Sequence, residues 1–290
     1  MDKTIFFIGE GRSGTTVIFE VFSRHKDIAY LSNYTDKFYF PQTGLIHRII
    51  KKRGKKNQYN DVPILNKTFP KPSEAYDTWE KLCGSKIRYS FMRNIQPTQI
   101  EAESVIKYIN QIKKYQGKKL FSTKFTGPPR ISYFTQVFDN ISFVNIVRDP
   151  RAVVASLMNV KFWKDKGDEP FWDGTFTEHE YEIWNRYDKS QVALAALEWN
   201  SIYKQTEIEK NISNCHVINI KYEDFMENPK KEMNSLLDYL NLDYCNSLQS
   251  HIEKVDNKNM NYKYKERLSE DQIKVVEEVC KDAMEKLGYL

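Results

Sequence analysis

Near its start the sequence sets glycines, hydroxyls and a cation at spacings suited to holding a phosphate group. Gly9, Gly14 and Thr16 fall on the G-x-x-x-x-G-K-[ST] spacing of a nucleotide phosphate loop, with Arg12, Ser13 and Thr15 between them. An apolar run, Ile5-Phe6-Phe7-Ile8, leads into this turn. Val17, Phe19, Val21 and Phe22 follow it in a helical pattern, so the segment reads as strand, loop and helix. Such a loop aims backbone N–H groups and a helix N-terminus at one point, worth about half a positive charge. Thr15 stands where an ATP-binding loop has its lysine, and the nearest cation is Arg12. The chemistry indicated is the binding of a phosphate-bearing ligand other than ATP–Mg²⁺. The alternative, a P-loop kinase or NTPase, needs a loop lysine and a metal-holding acid after a later strand.

A second anion site follows Ser142–Val147, a β-rich run. Asp149 reads as a helix N-cap and Pro150 as the first helical residue, which leaves Arg148 at the strand's carboxyl end and Ser156 two turns into the helix. Ligands of open α/β sheets sit at the carboxyl ends of strands, where both Arg12 and Arg148 belong. Two phosphate sites on one sheet fit a nucleotide phosphorylated at both ends of its ribose.

The elements that must position these residues follow from the remaining pattern. Lys119–Lys124 and Cys215–Ile220 are further short β-rich runs, and helical periods alternate with the strands. Asn228-Pro229 and Ser269-x-x-Gln272 are helix start signals, and a long helix is expected over 187–211. The fold class expected is α/β: a P-loop-containing three-layer fold with a central, mostly parallel sheet flanked by helices. A single domain over residues 1–290 suits the length, with irregular, acceptor-side segments near 32–75 and 161–186.

Composition narrows the classes. The chain is 40% hydrophobic and 29% charged with a net charge of +5, so an anionic ligand is tolerated, though charge alone does not separate phosphate from nucleic acid. The basic run 51–60 reads as a solvated loop beside the site, and no nucleic-acid partner is expected. Cys83, Cys215, Cys245 and Cys280 show no metal-ligand spacing and read as reduced thiols, so no metal is expected. No apolar stretch approaches the roughly 18 residues of a membrane span, and a core strand from about residue 4 leaves no room for a signal peptide. A cytoplasmic protein is expected.

IFFIGEGRSGTT resembles the 5′-phosphosulfate loop of the sulfotransferases that use 3′-phosphoadenosine 5′-phosphosulfate (PAPS), and FVNIVRDPRAVVASL resembles their 3′-phosphate motif. STKFTGPPR, the Tyr222-Glu223-Asp224 triplet ahead of Asn228-Pro229, and ERLSEDQ…EKLGY continue the likeness in order, closest to the carbohydrate and tyrosyl-protein branch. The resemblance implies PAPS as co-substrate, 3′-phosphoadenosine 5′-phosphate (PAP) as product, and a small-molecule or glycan acceptor, a sugar hydroxyl first. It implies that Arg12, Ser13, Gly14, Thr15 and Thr16 hold the 5′-phosphosulfate, and Arg148 and Ser156 the 3′-phosphate. By the same likeness Tyr222 lies near the adenine or phosphates, Lys263 or Lys265 closes over the nucleotide, and Lys124 faces the active site.

The general base is where the sequence departs from that pattern. Ser32 and Asn33 occupy the glutamate position of the tyrosyl-protein branch, and Asp36, ahead of Tyr39-Phe40, is the candidate in its place. His25 and His47 are the runners-up. A non-catalytic nucleotide-binding relative is the further alternative. The aromatic stretch from Phe162 to Trp184 reads either as packing within a lid or as a wall on which a sugar stacks.

Overall fold

Alternation along the first strand decides how the molecule is layered. The computed structural model describes residues 3–53, 70–165, 169–213, 215–255 and 261–290. In it β1 (Thr4–Ile8) is buried throughout. Phe6 and Ile8 pack on one face with Trp79, Ile109, Ile112 and Phe134. Ile5 and Phe7 pack on the other with Ile18, Phe22, Leu236 and Leu237. Side chains of successive strand residues point to opposite faces, so a strand apolar at every position must be covered twice.

Among the described residues one five-stranded, all-parallel sheet forms from β1, β2 (Ile28–Tyr30), β3 (Leu120–Lys124), β4 (Ile141–Val147) and β5 (His216–Lys221). The order is β2-β3-β1-β4-β5, with Phe7 of β1 beside Lys124 of β3 and Val144 of β4. Helices Tyr76–Cys83 and Gln99–Gln116 cover one face, and Thr15–Phe22, Tyr222–Glu227 and Pro229–Tyr239 the other. A further cluster joins helices Pro150–Leu157, Gln191–Ser213 and Glu270–Leu287. This is the expected three-layer α/β fold.

Local start signals act as the sequence implies. Asp149 accepts the Arg151 N–H ahead of Pro150, Asn228 accepts the Lys231 N–H ahead of Pro229, and Ser269 and Gln272 form a capping box. The helix expected over 187–211 is instead Gln191–Ser213, preceded by a separate helix, Glu178–Arg186. Asp188 and Lys189 adopt left-handed φ values of 49° and 51° and break the run. Of the basic stretch 51–60, residues 51–53 end the helix Gly44–Arg53, and the rest lies outside the described residues, as do 256–260. All four cysteines are free. Among the described residues no helix is long and apolar enough to cross a membrane.

Candidate active site

The carboxyl ends of β3, β1, β4 and β5 deliver Lys124, the loop Gly9–Thr16, Arg148 and Tyr222 to one edge of the sheet. Arg12 and Gly14 take left-handed φ values of 70° and 85°. At Gly14 space demands glycine as well, because a Cβ there would stand 2.1 Å from Cδ2 of Tyr222. Ser13 is 1% exposed, and its Oγ has no hydrogen-bond partner among the described residues. A buried hydroxyl with an unused proton inside an anion loop fits a phosphate oxygen.

Arg12 Nε donates to Ser156 Oγ at 3.0 Å, and Arg148 Nη1 donates to the Arg12 carbonyl at 2.9 Å. The Arg148 guanidinium lies 4.3 Å from the centroid of the Tyr222 ring, within cation–π reach. Burial is the main influence on Arg148 and lowers its pKa; Tyr222 and Glu223 oppose this, and Arg12 adds to it. Arg12, Gly14, Arg148, Ser156 and Tyr222 therefore meet in one place.

Lys124 meets the end of the loop from the neighbouring strand β3. Its Nζ donates to Thr16 Oγ1 at 2.8 Å and pairs with Glu74 Oε1 at 3.0 Å. Glu74 Oε2 accepts the Thr126 hydroxyl at 3.1 Å, and Tyr76 donates its own hydroxyl to the Thr126 carbonyl at 2.8 Å. Above these lies a cleft of about 350 Å³, lined by Arg12, Thr15 and Thr16 on one side. Glu74, Tyr76, Arg88, Tyr89, Phe162, Phe171 and Trp172 line the other. Arg88 is ion-paired with Asp77 and Glu80, both at 2.8 Å. The buried Arg130 fixes the short helix Lys86–Tyr89 by donating to the carbonyls of Ile87 and Arg88. Trp172 sits on the backbone of Gly127, where a Cβ would come within 2.3 Å of its ring.

Other expected site residues lie outside the cleft or make contacts of their own. Asp36 is not among the cleft residues; its carboxylate accepts the Asp77 N–H at 3.1 Å and the Ser73 hydroxyl at 3.5 Å, fastening the start of Tyr76–Cys83. Burial, with Asp77 adding, raises its pKa. His25 contacts the Asp243 carbonyl through Nε2 at 2.8 Å, and His47 contacts Ser32 Oγ at 3.0 Å. From the C-terminal segment it is Asn261 that reaches Arg148, accepting from Nε at 2.9 Å and donating to Glu223 at 2.5 Å. Lys263 ends the short turn Asn261–Lys263, and Lys265 lays its ammonium toward the Tyr262 ring at 5.8 Å. The aromatic stretch divides: Phe162, Trp163, Phe171 and Trp172 line the cleft, while Trp184 joins the core beside Phe176. Glu74 and Asn261 carry no sequence signal, since neither belongs to a periodic run or a motif.

A family model described as the sulfotransferase family matches residues 4–246. No curated protein matches the sequence. The structure is similar to sulfotransferase STF9 from Mycobacterium avium, with a TM-score of 0.58 and 12% identity, covering 98% of this chain and 76% of that one. It is similar to sulfotransferase STF1 from Mycobacterium tuberculosis H37Rv, with a TM-score of 0.54 and 11% identity, covering 96% and 76%. The sulfotransferase domain from the curacin biosynthetic pathway gives a TM-score of 0.50 and 13% identity, covering 96% and 98%. At these identities the likeness is one of fold; the family model, which spans most of the length, places this chain in the sulfotransferase family.

Proposed function

We propose that this chain moves a sulfuryl group from PAPS to an acceptor hydroxyl in the cleft between the phosphate loop and the aromatic wall. The observation that carries this is the meeting of Arg12, Arg148, Ser156 and Tyr222 at one sheet edge, with Glu74 lining the cleft and ion-paired to Lys124 at the end of β3. PAPS supplies the sulfuryl group, and the bridging oxygen leaves with PAP. The loop amides, Ser13 and Arg12 would hold the 5′ end, and Arg148 and Ser156 the 3′-phosphate, with Tyr222 as the surface beneath.

In place of Asp36, Glu74 is the carboxylate positioned to take the acceptor's proton. Lys124 and Thr126 each hold one of its oxygens, which fixes the carboxylate plane. Lys124, which also touches Thr16, and Arg12 offer positive charge where the departing oxygen gains negative charge. Transfer of this kind depends more on positioning and charge than on covalent help. For the acceptor we favour a sugar hydroxyl: Tyr89 and Phe162 expose about half of their surfaces, and flat apolar faces suit the C–H face of a sugar ring. A phenol would fit the same wall and is the second reading.

The test is incubation with ³⁵S-labelled PAPS and a panel of glycans, phenols and small alcohols. Label is expected in a member of the panel, and Glu74→Gln should lower turnover by about 10²- to 10⁴-fold with PAP affinity kept. Tight PAP binding without transfer to any acceptor would favour the non-catalytic reading. Magnesium-dependent ATP turnover would favour the kinase.

A further inference from the structure

One buried acid has no part in that chemistry. Glu10 lies inside the phosphate loop between Gly9 and Gly11 and lines the cleft with Arg12, Thr15 and Thr16. It also borders a small cavity against the helix Gln191–Ser213, at Trp199, Ile202 and Tyr203. The residue is 7% exposed, and its Oε2 is shut off from solvent with no hydrogen-bond partner among the described residues. From that helix comes a second buried carboxyl, Glu198, whose Oε1 accepts the Phe171 N–H of the aromatic wall. A carboxylate fixed inside an anion loop, with another behind it, would repel the ligand the loop is built to hold.

We infer that Glu10 is a donor-binding residue that works as the neutral acid, so that the donor's negative charge is accepted while Glu10 keeps its proton and is expelled when that proton is lost. This rests on the reading of Gly9–Thr16 as the PAPS loop. The groups acting on Glu10 are the Gly11 N–H of its own loop and Glu198 of the helix; Arg12, Glu74 and Arg88 line the same cleft, and Tyr203 borders the small cavity with it. Burial is the largest influence and holds its pKa well above the usual carboxylate range; Glu198 adds to this, and the Gly11 N–H opposes it. A bound polyanion acts in the same direction as Glu198. Donor and proton therefore favour each other's binding, and the coupling is reciprocal. Where free Glu10 has ionised, each donor molecule bound must draw one proton from solvent onto its carboxyl.

PAP is the probe, because it needs no acceptor and its phosphates have lost their titrating protons by pH 8. Titration calorimetry of the full chain from pH 6 to 10, in buffers of differing ionisation heat, reads both affinity and protons taken up. Affinity is expected to fall about tenfold per pH unit above the ionisation of Glu10, with about one proton absorbed per PAP. Glu10→Gln should abolish that uptake and bind PAP more tightly than the natural chain at the alkaline end. Glu198→Gln, which keeps the oxygen that Phe171 uses, removes the charge that holds the proton on Glu10, so it should move the fall to lower pH, and it serves if Glu10→Gln does not fold. PAP bound with the same slope in the natural chain and in Glu10→Gln, or with no slope at all, overturns the role of Glu10. No PAP binding at any pH would instead overturn the donor-loop reading beneath it.

Discussion

Arg148 is where the two parts of the proposed donor site join: one side chain touches the loop carbonyl of Arg12, the face of Tyr222 and Asn261. Arg148→Ala removes a charge-assisted contact to the donor and frees Arg12 from its anchor. PAP affinity should fall 10- to 150-fold, about 1.5–3 kcal/mol, in a calorimetric titration; unchanged affinity would remove Arg148 from the site. Residues of this kind were legible in the sequence because each sits one step beyond a strand, inside a motif. Glu74 was not. It lies in a segment without period, and its partner Lys124 arrives from β3, so only the folded chain joins them. Asp36 shows the converse: an acid at a plausible spacing, engaged by the first N–H groups of a helix.

At the scale of elements the phosphate loop depends on what lies under it. Tyr222 starts the helix after β5, and its ring fills the space beside Gly14. Gly14→Ala would add a Cβ into that ring and force a non-glycine residue to φ 85°. The backbone penalty alone is about 1–3 kcal/mol. Urea unfolding should show a loss of at least that size, and PAP affinity should drop more than tenfold because Tyr222 must move; an alanine variant with full affinity would mean that the loop tolerates a displaced ring. Helix beginnings could be read from the sequence because caps are local. β2, only three residues long, could not. The break at Asp188 and Lys189 was missed because apolar spacing continues across it while the backbone does not.

For the whole molecule, the parallel sheet brings residues from distant stretches of the chain to one edge, and its outer flank carries a titrating group far from that chemistry. His47, on the helix Gly44–Arg53, holds Ser32 and lies against the Tyr30 ring of β2. Burial, with Lys118 and Arg24 adding, pulls its pKa from 6.5 down to about 4. Above pH 6.5 His47 is neutral in both the folded and unfolded chain. Between 6.5 and about 4 the unfolded chain takes up a proton that the folded one refuses, so stability falls as pH falls. His47→Gln should flatten that decline by up to about 1.4 kcal/mol per pH unit in urea unfolding. An identical decline in the variant would assign the acid sensitivity elsewhere. Finally, two of the five tryptophans, Trp163 and Trp172, border the cleft, and Phe171 touches both. The protein thus carries its own optical reporter: an unlabelled compound entering the cleft should alter indole emission, so acceptors can be screened by fluorescence before any radiolabel is used.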